Sequence, residues 1–114
     1  DVLVGFSSVS AVILEAVLTF FLVWTVFATA VDEKTKSNLA PVAIGLVLTF
    51  DILVGGYFTG AAMNPARAFG PALASGYFAT QWVYWVGPIL GASIAGLLYQ
   101  FLYLRGDFAK KHKK

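Results

Sequence analysis

TGAAMNPARAFGPALASGYFATQ, residues 59–81, decides the fold. The stretch is too apolar for an ordinary solvent loop. Yet Gly60, Pro65, Gly70, Pro71 and Gly76 interrupt it too often for a full membrane span. Its middle reads as a helix start: Asn64 is a good N-cap and Pro65 suits the first helical position. Gly76 is a natural stop. The spacing predicts a helix over 65–75, about 16 Å long, roughly half a bilayer. Residues 59–76 therefore read as a re-entrant loop and half helix. Irregular backbone at that depth survives only when buried in protein or lining a watery cavity.

The flanks demand a membrane. Of 114 residues, 59% are hydrophobic and 12% charged, whereas soluble domains carry about 25% charge. Three apolar runs, 9–31, 39–58 and 82–104, are each long enough to cross about 30 Å of hydrocarbon as a helix. The first holds one charge, Glu15, the second one, Asp51, and the third none. Neither Ala11-Val-Ile-Leu14 nor Phe20-Phe-Leu-Val-Trp24 alternates, which excludes barrel strands. The expected class is an all-α membrane protein: three transmembrane helices plus one re-entrant half helix in a single unit, 1–114. The first run is too long for a signal peptide and lacks a basic region before it.

Charge sets the expected orientation. Lys34, Lys36, Arg105, Lys110, Lys111, Lys113 and Lys114 fall on one side, and Arg67 alone on the other. The positive-inside rule then places the tail 105–114 in the cytoplasm and the N-terminus outside. The same rule explains the basic tail without nucleic acid. Trp82, Tyr84 and Trp85 open the third run, where interfacial rings are expected. Gly87-x-x-x-Gly91 and Ala92-x-x-x-Gly96 predict close helix packing within a bundle.

Several chemistries drop out. There is no cysteine, and the single histidine, His112, sits among lysines. Disulfides, thiolate metal sites and histidine-based catalysis are excluded, and no metal or cofactor is expected. Glu15 and Asp51 lie on different spans without a nucleophile beside them, so no enzyme is expected. What remains is electrostatic. The half helix would present its positive N-terminal pole inside the membrane. Asn64 adds amide donors and Arg67 a permanent charge one turn later.

These residues carry a resemblance. Asn64-Pro65-Ala66-Arg67, within the segment 60–72, resembles the second signature loop of the aquaporin (major intrinsic protein) family. The segment 82–88, WVYWVGP, resembles the start of that family's sixth helix, and Ile13-Leu-Glu15 resembles its fourth. The resemblance implies one inverted repeat of the aquaporin fold and a channel passing water in single file while excluding protons and ions. It implies Asn64, Pro65 and Ala66 at the pore centre, Arg67 in the selectivity filter and Ile52 and Ala61 at the other filter positions from this half. Glu15 is implied to brace the loop. Asp51 stays open between accepting a bond from the loop and helping to hold Arg67. Ile52 and Ala61 are less polar than a strict water filter, which admits ammonia or small neutral solutes. Ala68 after Arg67, and the Tyr84-Trp85 pair, speak against a glycerol channel.

Only one such repeat is present, and it is similar to the family's second. The chain starts at Asp1 rather than Met, so it reads as the C-terminal half of a longer channel, with two copies in opposite orientations as the alternative. The missing N-terminal repeat is thus an expected partner, with the lipid bilayer and a homotetrameric assembly. Half of a secondary transporter, or a non-conducting assembly subunit, are the competing readings.

Overall fold

The computed structural model describes residues 2–104; the basic tail used above for orientation lies outside them. Helix α1 runs Ser8–Val26, α2 Ala40–Thr59, α3 Pro65–Ser75 and α4 Val83–Tyr99. A wider turn extends α1 over Phe27–Val31 and another extends α4 over Gln100–Leu104. With these extensions three stretches are long and apolar enough to cross a membrane: Ser8–Val31, Ala40–Thr59 and Val83–Leu104. The remaining helix, α3, is short, 11 residues.

α1 is the centre of the bundle. It packs along α4 on one side and against α2 on the other, while α3 leans on α4. Glycine permits the α1–α4 contact. A Cβ on Gly91 would stand 2.1 Å from the Ala16 carbonyl oxygen, and one on Gly87 2.8 Å from the Glu15 Cβ. Both atoms belong to α1 backbone or its root, so neither can give way. The glycine spacing of the third run is thus a seat for α1. On α2, a Cβ at Gly55 would meet the Leu18 side chain at 2.4 Å.

The sealed interior is small. Leu18, Ala61 and Met63 form it, with Leu14, Leu22 and Leu48 around them. Two of these three come from the loop before α3, so that loop plugs the α1–α2 junction. Elsewhere the spans are apolar outward: between 17% and 28% of each apolar window is buried. Such faces are stable only against lipid or further protein. Val42, Leu46, Phe50, Leu53 and Tyr57 make one such face on α2.

The wide turns ending α1 and α4 lie at one end of the bundle. Asp32 N–H donates to the Phe27 carbonyl at 2.8 Å, a five-residue step rather than four. Asp32 is buried and accepts the Tyr99 hydroxyl at 2.7 Å and the Lys34 N–H at 3.0 Å. Those two donors hold its carboxyl below the usual carboxylate range. Lys34 Nζ reaches the Tyr103 carbonyl at 3.2 Å, closing the loop onto the end of α4.

Candidate pore loop

The site begins where α2 stops. Gly60 caps α2 in the left-handed region, φ 82°. Ala61 and Met63 follow at φ 48° and 56°. Left-handed backbone is uncommon for residues with a Cβ and persists only where surroundings impose it. Here Glu15 imposes it. Its Oε1 accepts the Thr59 hydroxyl at 2.7 Å and the Ala62 N–H at 3.1 Å, and its Oε2 accepts the Met63 N–H at 2.9 Å. The Thr59 Oγ1 in turn accepts the Ala61 N–H at 3.2 Å. Glu15 and Thr59 are fully buried. One carboxylate inside the bundle thus satisfies two loop N–H groups that hydrocarbon would leave unpaired.

Depth follows from α1. Glu15 lies seven residues beyond Ser8, about 10 Å along the helix axis. Because the turn bonds to Glu15, the turn sits at that level, below the end of α1. α3 starts there and climbs back. Asn64 caps α3 through Oδ1, which accepts from Ala66 N–H at 2.8 Å and Arg67 N–H at 3.4 Å. This leaves both Nδ2 hydrogens out of the cap, on an exposed residue. Pro65 takes the first helical position and Gly76 closes the helix at φ 75°. The helix's positive pole therefore lies at the turn, with Asn64 and Ala66 exposed beside it.

Arg67 is exposed, and its Nη1 donates to the Ala61 carbonyl at 3.3 Å. Among the described residues it forms no ion pair. Asp51, one of whose expected roles was to hold Arg67, does not meet it. Asp51 is buried in α2, and its Oδ2 has no partner among the described residues. Its charged neighbour is Glu15. The neighbouring Ile52 is exposed. Ala61 is wholly buried, so its methyl packs against Leu18 and Met63 while its carbonyl takes the guanidinium. The loop thus brings together Glu15, Ala61, Asn64 and Arg67; Asp51 and Ile52 stand on α2, outside this network.

One aromatic at the head of α4 turns inward. Tyr84 belongs with Trp82 and Trp85 to the set of rings expected at the membrane interface. The two tryptophans are exposed, but Tyr84 is 5% exposed and donates its hydroxyl to the Thr59 carbonyl. A tyrosine at the head of a span serves either a wet interface or a buried acceptor. Here the acceptor wins, because Thr59 ends α2 and its carbonyl has no helical partner. Neither Thr59 nor Tyr84 stood out in the sequence as a site residue, and no local pattern marks a partner 25 residues away.

Comparison with known proteins agrees with this geometry. A family model described as major intrinsic protein matches residues 2–99. The probable aquaporin TIP2-2 of Oryza sativa subsp. japonica is 50% identical over 107 residues, covering 92% of this chain and 43% of the relative. The probable aquaporin TIP1-1 of the same plant is 54% identical over 104 residues, 90% and 42%. Aquaporin TIP2-1 of Arabidopsis thaliana is 50% identical over 106 residues, 91% and 42%. The chain spans about two-fifths of the length of these relatives. With three spanning helices, a short fourth and a match over nearly all its length, this integral membrane protein belongs to the major intrinsic protein family.

Proposed function

We propose that this chain forms one half of a channel that passes water, and ammonia or small neutral solutes, down their gradients. The observation that carries the reading is the pairing at the start of α3. Asn64 offers amide hydrogens beside the helix's positive pole, and Arg67 offers a guanidinium anchored on the Ala61 carbonyl. Both are exposed although they stand on a loop pinned below the end of α1. A water molecule at Asn64 can accept from Nδ2, and a solute at Arg67 can accept from the guanidinium nitrogens not engaged by Ala61. Movement in single file follows if the second half narrows the path to one molecule.

Ion exclusion rests on charge. A cation approaching Asn64 meets the positive end of α3 and then Arg67. Aquaporin-type pores exclude protons and cations by such a barrier. Passive conduction moves no bond and needs no cofactor or catalytic group. Ile52, exposed on α2, is assigned to the filter wall; Ala61 contributes through its carbonyl. Glu15 is assigned to bracing. A second repeat completes the pore, and the exposed α2 face fits assembly into a tetramer of one chain. The N-terminus is assigned to the outer side.

The test joins this chain to the N-terminal half of a relative, aquaporin TIP2-1 of Zea mays, which aligns with it at 50% identity. Stopped-flow shrinkage of proteoliposomes should show water permeability well above bare lipid, without saturation and without proton leak. Permeability equal to bare lipid, from a fusion shown to be folded, would refute the channel reading; saturable transport would favour a transporter half.

A further inference from the structure

We infer that one water molecule is held inside the bundle, bonded to Thr19 of α1 and Asp51 of α2, away from the exposed donors of the pore loop. Two orphaned oxygens carry the inference. Thr19 is 2% exposed and Asp51 5%. Yet Thr19 Oγ1 and Asp51 Oδ2 have no hydrogen-bond partner among the described residues. A buried polar atom left so is costly, and the usual remedy in a native interior is an ordered water. Thr19 also differs from the other threonines along α1 and α2. Thr25, Thr29 and Thr49 each donate to the carbonyl four residues back, at 2.8, 2.7 and 2.8 Å. The Glu15 carbonyl stands four residues before Thr19 and is not used.

The register of the two helices brings these oxygens into reach of one small molecule. α1 and α2 run antiparallel, with Glu15 bonded to Thr59 and Leu18 seated at Gly55. That register sets Asp51 opposite Leu22, an axial offset from Thr19 of about 5 Å. Such a gap is too long for a direct bond and suits a bridging molecule. Leu18, Leu22 and Leu48 crowd the same junction and offer no side-chain donor. The charged group acting on Asp51 is another acid, Glu15, whose oxygens are taken by Thr59 and the loop. Arg67 rests on the Ala61 carbonyl instead. Water can donate to the carboxyl oxygen, exchange a bond with the hydroxyl and fit among leucines. It gives Asp51 a task that Arg67 does not: tying α2 to α1 beyond the Glu15 knot.

The test is a double-variant cycle, melted in detergent in the fusion described above. Thr19→Val and Asp51→Leu each remove the polar group and keep the rough shape. If both groups bond one water, the second substitution costs less once the first is made. The double variant should therefore melt about 2–4 °C above the sum of the two single shifts, the worth of one net hydrogen bond in a chain of that size. Additive shifts, as two unrelated orphan atoms would give, overturn the inference. A density map of the unsubstituted fusion, at a resolution that shows ordered waters, covers the case in which a variant fails to fold. It should hold a peak within about 3.2 Å of both oxygens. No peak there, or a direct bond between the two side chains, overturns the water site whatever the melting shows.

Discussion

Two ends of one bundle use the same parts for different ends. At one, Glu15 is buried and accepts two backbone N–H groups and a hydroxyl. At the other, Asp32 is buried and accepts one backbone N–H and a hydroxyl. Each knot also takes a tyrosine from α4, Tyr84 near its start and Tyr99 at its end. The difference lies in what is held. The Glu15 knot imposes left-handed backbone on Ala61 and Met63 and puts Asn64 and Arg67 on an exposed surface. The Asp32 knot merely folds a connecting loop onto α4. One stores strain in order to present donors; the other only fastens. The comparison makes the first knot costly to lose and the second cheap.

Glu15→Ala should therefore have the largest effect. It takes the acceptor from the Ala62 and Met63 N–H groups at once and leaves the Thr59 hydroxyl only a long bond, 3.4 Å, to the Gly55 carbonyl. At about 1–3 kcal/mol for each orphaned buried group, the loss is enough to unfold the loop. Thermal unfolding in detergent should fall sharply, and the fusion should stop conducting. A stable, conducting Glu15→Ala protein would mean that the turn holds itself, and the contrast between the two knots would be false.

Next comes the spacer that lets α4 carry both tyrosines. Gly91 lies seven residues after Tyr84 and eight before Tyr99. Gly91→Ala drives a methyl into the Ala16 carbonyl, 2.1 Å from where its Cβ would stand. The two helices must separate, at about 2 kcal/mol or more. Gly96→Ala meets only the Phe27 ring at 3.6 Å and should be neutral or slightly stabilising. Melting temperatures of the pair decide it: equal values would show that α1 and α4 are not held flush.

Arg67→Val sharpens the functional half of the comparison. This side chain is exposed, and its bond to the loop is the one to the Ala61 carbonyl. Stability should barely move, within about 0.5 kcal/mol. Selectivity should move several-fold toward protons or larger solutes, read as pH-gradient decay and glycerol uptake in vesicles. Unchanged selectivity removes Arg67 from the filter.

How much of this could be read in advance depends on the range of the interaction. The 65–75 helix is written in local chemistry: Asn64 before Pro65 at one end, Gly76 at the other, and the structure's α3 has those bounds. The spans follow from apolar length alone. Gly87 and Gly91 advertise a close approach, though not which helix approaches. Glu15 announces only that a carboxylate among apolar residues needs partners. Its actual partners, 44 to 48 residues away, are matters of tertiary packing. Tyr84 shows the limit best. A tyrosine heading a span has the same pattern whether its hydroxyl faces headgroups or a loop carbonyl. Nothing in the sequence shows how Ala61 sits, since its buried methyl and bonded carbonyl depend on a left-handed φ that alanine seldom announces.

The smallest expected effect is at the Asp32 knot, and it has a pH signature. Asp32 follows the first span directly, and its carboxyl is held below 3.8 first by the Tyr99 hydroxyl and then by the Lys34 N–H. A folded value below the unfolded one means that the ionised form favours folding. That contribution is complete above about pH 4 and is lost as pH falls through the lower, folded value. Lys34, whose charge also favours the carboxylate, stays protonated throughout this window. Glu33 faces Lys36 at 3.9 Å on the exposed side of the same loop, and such a pair contributes little. Tyr99→Phe removes the leading cause of the shift, so the melting temperature of that variant should fall less steeply than wild type as pH drops below about 4. At pH 7 it should lie only slightly below wild type, and water permeability of the fusion should be unchanged. Coincident acid profiles for the two proteins would mean that Tyr99 does not hold Asp32. A loss of conduction would mean that the Asp32 knot, too, shapes the pore, and that the two ends differ less than their geometry indicates.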